Sequence, residues 1–301
     1  MNRHFIFPDM STNIRFDIDA LRTMVVGVEV GSFARAATQL ARSQSAVSMQ
    51  LKRLEEQAGH VLFERQGRGL VLTEAGNALL AYARRIVDLH DEAAAALGAN
   101  VPAVSIRMGL PQDFFEDVMP EAVSRFARKH PDVEVEVRAG RNYALEEEVN
   151  TGKLDMAIAF AESGQCRTGS LLVTLPLFWF ANESTDVLPN SKSPLPLVLF
   201  DHPCLFRQTA LRELDRRNRA WRLAITTPSL PGVWAALRFG HGLTVRTDHR
   251  VPRGIRALSG AGLPRLPALE LRLFERSRLN GPASSLLDEL VRTVHRKVSG
   301  K

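Results

Sequence analysis

The sequence predicts a mixed fold: an all-α-dominated amino-terminal unit with one small β-hairpin, a single long helix, and an α/β unit of two subdomains. Three observations predict it. Between residues 18 and 58 apolar residues recur at helical spacing in three short runs; from Thr73 to Leu97 one helical pattern continues with almost no breaker; beyond residue 104 strand-like and helix-like runs alternate. At 301 residues the chain has room for two or three domains with sizeable cores.

Composition is ordinary for a soluble globular protein, with 45% hydrophobic and 24% charged residues. The opening "MNRHFIFPDM" has no apolar stretch that serves as a signal segment. The longest uncharged run, Thr168 to Asn182, contains Pro176 and is too short to span a bilayer. The chain is therefore read as cytoplasmic, with no membrane partner. Two cysteines, Cys166 and Cys204, cannot make a disulfide framework; outside a C-x-x-C arrangement they read as small buried hydrophobes rather than as a redox switch.

In "IDALRTMVVGVEVGSFARAATQLARSQS", Leu21, Met24, Val25 and Val28 form one apolar stripe, Gly31 breaks it, and Ser32 caps a second helix that turns Phe33, Ala36, Ala37 and Leu40 inward. The turn "ARS" leads directly into "SQSAVSMQLKRLEEQAG", residues 43–59. Here Ser43 is the N-cap and Ala46, Val47, Leu51, Leu54 and Ala58 make the buried stripe. The other face carries Gln44, Ser45, Ser48 and Lys52, with Met49 and Arg53 at its flank. Two short helices joined this tightly, the later one with a small polar outer face, predict a helix-turn-helix. Next, Leu62 to Arg65 and Leu70 to Thr73 pair as short strands around Gln66 to Gly69, a wing with Arg65 at its base and Arg68 at its tip. Bulk charge does not carry a nucleic-acid reading. Residues 1–100 hold 11 basic and 11 acidic side chains, residues 101–200 hold 9 and 14, and residues 201–301 hold 19 and 8, so the net +6 originates far from this helix.

The ordered set "SFARAATQL", "SQSAVSMQLKRLEEQAG" and "LFERQGRGLVLTEAG" resembles the LysR-type transcriptional regulators. The resemblance implies that Gln44, Ser45 and Ser48 meet base edges or nearby phosphates of double-stranded DNA, that Lys52 and Arg53 lie toward the backbone, and that Arg68 reaches the adjacent minor groove. Ser32, Arg35, Ser43, Met49 and Arg65 complete the expected DNA-facing set. The chemistry is compatible: Gln bonds adenine bidentately, Ser serves as donor or acceptor, and Lys and Arg take phosphates. Met49 departs from the family, which often has a polar or basic residue there; a methionine packs instead on a thymine methyl.

From Thr73 to Leu97, Ala75, Leu79, Tyr82, Ile86, Leu89, Ala93 and Ala96 alternate by 4 and 3, an a/d seam over about three heptads. Such a helix spans roughly 37 Å at ~1.5 Å per residue. Its seam packs either on its own chain or, as the resemblance implies, on a second copy, through Leu79, Tyr82, Ile86, Leu89 and Ala93.

"LGANVPA" marks a hinge near residues 98–103. The pattern then predicts strand 104–110, helix 114–129, strand 133–139, helix 142–151 and strand 154–160, followed by strands 171–180 and 196–200, helix 205–218, strand 221–226, helix 229–239, strand 242–247, a strand near 269–275 and a helix near 283–298. Alternation predicts parallel sheets with helices on both faces and a ligand site at the carboxyl ends of the strands. "TGKLDMAIAF" and "ALRFGHGLTV" resemble recurrent segments of the periplasmic-binding-protein-like effector domain of LysR-type regulators. Its fold implies that the last strand and helix return to the first subdomain. The expected layout is a winged helix-turn-helix domain at 16–73, a linker helix at 74–98 and an effector domain at 104–301, with subdomain I at about 104–165 and 266–301 and subdomain II at about 166–265. Residues 1–15 match no segment of the family.

Effector contacts are expected where strands end and helices begin, since free N–H groups there favour an anion: Gln112, Asp113, Asn142, Phe206, Arg207 and Ser229. Each also has a plain structural reading: Asp113 and Ser229 as caps, Asn142 in a turn, Arg207 in solvent. Arg207 suits a carboxylate and Asp113 opposes one, so the class of the unidentified small-molecule effector stays open. Residues 200–246 are most similar to a branch containing bacterial regulators of motility and virulence. His241, between two glycines, reads as a local surface change rather than a pH sensor.

An enzyme is disfavoured: the sequence has no G-x-S-x-G elbow, no P-loop, no G-x-G-x-x-G after a strand and no His pair at helical metal spacing, so neither cofactor nor metal is expected. A solute-binding protein fits poorly with the absent signal segment and the amino-terminal winged helix. An architectural DNA binder leaves two effector-like lobes unexplained. The reading is a sequence-specific transcriptional regulator, a homodimer or homotetramer, that meets RNA polymerase at its target promoters.

Overall fold

The computed structural model describes residues 14–66, 69–97, 105–164, 168–184, 193–258, 262–276, 279 and 281–298. The chain divides into two compact units, Met1–Pro102 and Ala103–Lys301.

The first unit opens with α1 (Ile18–Glu29), capped by Asp17, and α2 (Phe33–Gln39), capped by Ser32. Then comes α3 (Gln44–Ala58), whose N-cap Ser43 accepts from the Ala46 amide at 3.1 Å. Helix α3 ends at Gly59, in the left-handed region with φ +67, where a side chain is disfavoured. Strands β1 (Phe63–Gln66) and β2 (Gly69–Leu72) pair antiparallel, Phe63 opposite Leu72 and Gln66 opposite Gly69. Arg68 and the expected hinge at 98–103 lie outside the described residues, as do residues 1–13.

Leu21, Met24, Val47, Leu51, Leu54, Leu62, Leu80, Ala83 and Val87 form one buried core in this unit. Three polar contacts fix its parts. Thr23 Oγ1 donates to Gln50 Oε1 at 2.7 Å, joining α1 to α3. Glu55 Oε1 accepts from the amides of Leu62 and Phe63 at 2.9 and 3.1 Å, binding the wing's base to α3. Phe33 meets Phe63 edge to face at 5.4 Å.

The long helix α4 (Glu74–Ala96) corrects the single-seam expectation. Its core-facing stripe is Leu80, Ala83 and Val87, with Ala75 and Leu79 partly buried beside it, whereas Tyr82, Ile86 and Leu89 are 61%, 40% and 63% exposed. The helix is thus apolar on two faces, and a pattern of period 3.5 traced from Ala75 follows the outer one. Ala93 is exposed, and the side chain of Ala96 lies outside the described residues. Among the described residues no helix is long and apolar enough to cross a membrane.

The second unit contains β3 (Ser105–Leu110), α5 (Val118–Ala127), β4 (Glu134–Ala139), α6 (Asn142–Asn150), β5 (Met156–Glu162), β6 (Ser170–Leu175), β7 (Phe178–Asn182) and β8 (Leu195–Phe200). It continues with α7 (Leu205–Arg216), β9 (Trp221–Thr227), α8 (Leu230–Arg238), β10 (Thr244–Arg246), β11 (Ile255–Leu258), β12 (Leu269–Glu275) and α9 (Gly281–Val298). The strands form a five-stranded sheet ordered β4-β3-β5-β12-β6, a three-stranded sheet ordered β10-β7-β11, and the pair β8-β9, which an isolated Leu197–Leu243 bridge joins beside β10.

Several expectations change here. The sheets are mixed rather than parallel: β3 runs parallel to β4 and β5, but β12 is antiparallel to β5 and β6, and β7 is antiparallel to β10 and β11. The single strand expected at 171–180 is two. Pro176, which cannot donate to a ladder, falls at the crossing from β6 in the large sheet to β7 in the small one, so β6 belongs with the strands assigned to subdomain I. The helix expected at 114–129 is a 3-10 turn at Gln112–Phe114 followed by α5, because Asp117 caps a fresh start by accepting from the Val118 amide at 2.8 Å. Strand β11 was not expected, and β10 is shorter than 242–247.

Two consequences can be tested. A Cβ on Gly76 would lie 2.1 Å from the Leu62 carbonyl oxygen, where neither backbone can yield. Gly76→Ala should destabilise the first unit by about 1–3 kcal/mol, read by urea unfolding. The second concerns Arg22 and Asp91, which pair through Nη1 and Oδ2 at 2.7 Å and through Nη2 and Oδ1. The hydrogen bonds from Arg22 hold the Asp91 carboxyl below the usual carboxylate range. A carboxylate lowered on folding stabilises fully above its unfolded value, near ~3.9, and stops doing so as pH falls through the lowered one. Asp91→Asn should therefore lower Tm at neutral pH and flatten the fall of Tm as pH drops below about 4; equal acid sensitivity in both proteins would exclude the effect.

Candidate functional site

The outer face of α3 presents Gln44, Ser45, Ser48, Met49, Lys52 and Arg53, all exposed, because Val47, Leu51 and Leu54 on the opposite side are buried to 4% or less. The hydroxyls of Ser43 and Ser45 lie 2.9 Å apart, so the first turn is tied together before any partner arrives. Arg53 Nη1 is 3.2 Å from Asp17 Oδ2, and Lys52 Nζ is 4.0 Å from Glu56 Oε1. Exposed pairs of this kind are worth about 0–1 kcal/mol, so either cation can exchange its carboxylate for another anion at little cost. Ser32 is occupied as the α2 cap, and Arg35 reaches the Val30 carbonyl at 2.7 Å. Arg65 stands exposed on β1. Arg42, missed in the sequence, sits beside the start of α3 and pairs with Asp19 at 2.7 Å.

In the second unit a cavity of about 140 Å³ opens at the carboxyl ends of β3, β4, β8, β9 and β10. Gln112, Asp113 and Phe206 line it. Gln112 spans two strand ends, its Nε2 donating to the Pro228 carbonyl at 3.2 Å and its Oε1 accepting from the Leu230 amide at 2.8 Å. Arg207 and Ser229 are not part of the lining: Arg207 Nη1 turns back to the Phe200 carbonyl at 3.1 Å, and Ser229 caps α8 by accepting from the Gly232 amide at 3.3 Å. Asn142 opens α6, and its side chain lies outside the described residues.

Two lining arginines were missed. Arg246 ends β10 with its side chain 4% exposed; its Cζ lies 4.3 and 4.5 Å from the ring centres of Phe200 and Phe206. Its Nη1 contacts Asp113 Oδ1 and Oδ2 at 3.4 and 3.5 Å. Arg141 precedes α6 and chelates Asp201 through Nη2, both contacts 2.8 Å, while the Tyr143 hydroxyl donates to Gln208 at 3.1 Å. The sequence signal was present for Arg246 alone, as a charge closing the apolar run "GLTV". Beyond the cavity the same two segments meet twice more, His249 with Asp117 and Arg250 with Glu116, both at 3.2 Å.

A helix-turn-helix with an exposed polar second helix, joined in one chain to a two-sheet α/β unit with a cavity at its strand ends, defines a DNA-binding domain coupled to an effector domain. Residues 18–77 match the family model of the bacterial regulatory helix-turn-helix protein, lysR family, and residues 99–293 match the LysR substrate binding domain. The chain is 37% identical over 265 residues to the HTH-type transcriptional regulator DgdR of Burkholderia cepacia, covering 87% of this chain and 89% of DgdR. It is 32% identical over 255 residues to the HTH-type transcriptional regulator PecT of Dickeya dadantii, covering 84% and 80%. ArgP from Mycobacterium tuberculosis shares the fold, with a TM-score of 0.75 at 20% identity over 93% of this chain and 97% of that one. The chain belongs to the LysR family of transcriptional regulators. Neither relative's name speaks to motility or virulence, so these matches bear on the family and not on that branch.

The Gln112 contacts make a direct prediction. Gln112→Ala removes the acceptor for the Leu230 amide, and should accelerate hydrogen exchange at Leu230 while costing about 1–2 kcal/mol in the second unit. Unchanged exchange there would mean that the loop after β9 is held by other contacts.

Proposed function

We propose that this regulator reads DNA through Gln44, Ser45 and Ser48 on α3, with Met49 against a thymine methyl and Lys52 and Arg53 on the backbone. The observation that carries the reading is the small polar face of α3, fully exposed and rigidly backed by its buried stripe. Ser32, Ser43 and Arg35 flank that face, Arg65 lies on the wing's first strand, and Arg68 is assigned to the adjacent minor groove. The domain limits are taken as 16–73, 74–98 and 104–301.

The exposed stripe Tyr82, Ile86, Leu89 and Ala93, with Leu79 at its edge, receives the same helix of a second copy. The homodimer, alone or paired into a tetramer, then sets two recognition helices on a two-fold-related site. A small-molecule effector occupies the cavity at Gln112, Asp113 and Phe206, shifts the lobes of the effector domain, and passes the shift to the DNA-bound winged helices and to RNA polymerase. Such coupling requires that the effector bind the two arrangements with different affinity. The protein acts in the cytoplasm and carries out no catalysis; the relatives' names as transcriptional regulators support this.

The test is selection of bound fragments from a random DNA library at near-physiological salt. An interrupted palindrome is expected; recovery of single half-sites would exclude the dimer, and recovery of no motif would exclude base reading. On the selected site, Ser48→Ala should lower discrimination between specific and random DNA by about 1 kcal/mol. Lys52→Ala should weaken both alike and reduce the salt slope by about one phosphate contact. If Ser48→Ala weakens both sequences equally, that serine grips phosphate instead.

A further inference from the structure

We infer that the effector cavity is built for a small carboxylate with a compact apolar body, and that Arg246 receives the carboxylate in competition with Asp113. This rests on the proposed effector role of the cavity and adds the chemical class of its occupant.

A guanidinium taken out of water needs its in-plane donors answered. Arg246 is 4% exposed, yet among the described residues its hydrogen bonds run through Nη1 alone, in two long contacts to a single carboxylate. Phe200 and Phe206 attract the cation through their rings but accept no in-plane hydrogen bond. Its other donors keep access to the cavity, and the fork of an arginine matches a carboxylate through two parallel bonds.

The walls favour the same charge. Cys204 opens α7 and Arg141 opens α6, and neither side chain caps the helix it precedes. Both residues line the cavity, so two sets of first-turn N–H groups and two positive helix ends lie at its wall. Helix α8, by contrast, has its N-terminus answered by Ser229 and Gln112. Pro111, Phe160, Pro203 and Pro228 line the remainder with hydrocarbon. A cavity of about 140 Å³ admits a body roughly the size of a benzene ring.

Competition with Asp113 supplies a regulatory step. Asp113–Arg246, Asp117–His249 and Glu116–Arg250 join the same two segments, 113–117 and 246–250. A ligand carboxylate that takes Arg246 releases Asp113 and opens the one of the three that borders the cavity.

The experiment is calorimetric titration of the full chain with benzoate and with its uncharged isostere benzamide, in the wild type, Arg246→Gln and Asp113→Asn. Benzoate should bind at least about tenfold more tightly than benzamide, and Arg246→Gln should abolish that preference. Asp113→Asn should tighten benzoate several-fold by freeing the arginine, a gain that a merely structural ion pair would not give and that does not depend on Arg246→Gln folding. Equal binding of the two probes, a preference surviving in Arg246→Gln, weaker benzoate binding in Asp113→Asn, or no binding of benzoate up to about 10 mM overturns the inference. A protein that still selects an interrupted palindrome but ignores benzoate overturns the ligand class alone and leaves the regulator reading standing. A protein that fails both loses both.

Discussion

Val47, Leu51 and Leu54 hold α3 against the rest of the first unit, and whatever α3 offers a partner depends on that contact. Each buried aliphatic side chain of this size contributes about 1.5–3 kcal/mol, more than the polar face could supply for itself. The helix is short, and its outer residues are hydroxyls, an amide, Met49 and two cations, with Lys52–Glu56 at 4.0 Å a weak pair along it. Its position is set from three sides: by Thr23 reaching Gln50 from α1, by Ser43 closing the first turn, and by Glu55 holding the amides of Leu62 and Phe63. A groove-reading surface is therefore made by the part of the helix that no groove touches.

The effector domain solves the inverse problem, placing a charge where an apolar core would otherwise close. A continuous cluster runs from Ile106 and Phe114 through Trp179 and Leu197 to Leu290, so both sheets share one hydrophobic interior. Arg246 enters the edge of that interior between two phenylalanine rings, with Asp113 as its counter-ion. The links from the lining residues Arg141 and Tyr143, to Asp201 and Gln208, are more exposed and so weaker.

Much of this was legible in the sequence where periodicity and punctuation coincide. The three amino-terminal helices, the serine caps of the second and third, and the wing were readable because Ser32 and Ser43 each precede an apolar stripe. Strand polarity was not, since alternation of strands and helices does not reveal that β12 returns antiparallel between β5 and β6; that depends on a chain reversal far along the sequence. The second apolar face of α4 was hidden because Leu80, Ala83 and Val87 interleave with Leu79, Tyr82 and Ile86, and only packing separates the two stripes. Of the six effector residues expected, Gln112, Asp113 and Phe206 face the cavity, while Arg207 and Ser229 serve their own backbone, as loop residues commonly do. Arg246 escaped notice because its significance comes from Phe200, Phe206 and Asp113, more than thirty residues away in the chain.

The junction at Thr73 and Gly76 has a mechanical side. Thr73 bonds both the Leu62 and Val61 carbonyls, and Gly76 lets α4 lie directly on Leu62. The wing's base is thus fastened to the first turn of α4, like a crank fixed near the end of an axle. In a homodimer of the proposed kind, a few degrees of rotation between two such axles becomes a sideways travel of the wing strands along the duplex, so the angle at which the exposed stripes mesh decides how many base pairs separate the places the protein can hold.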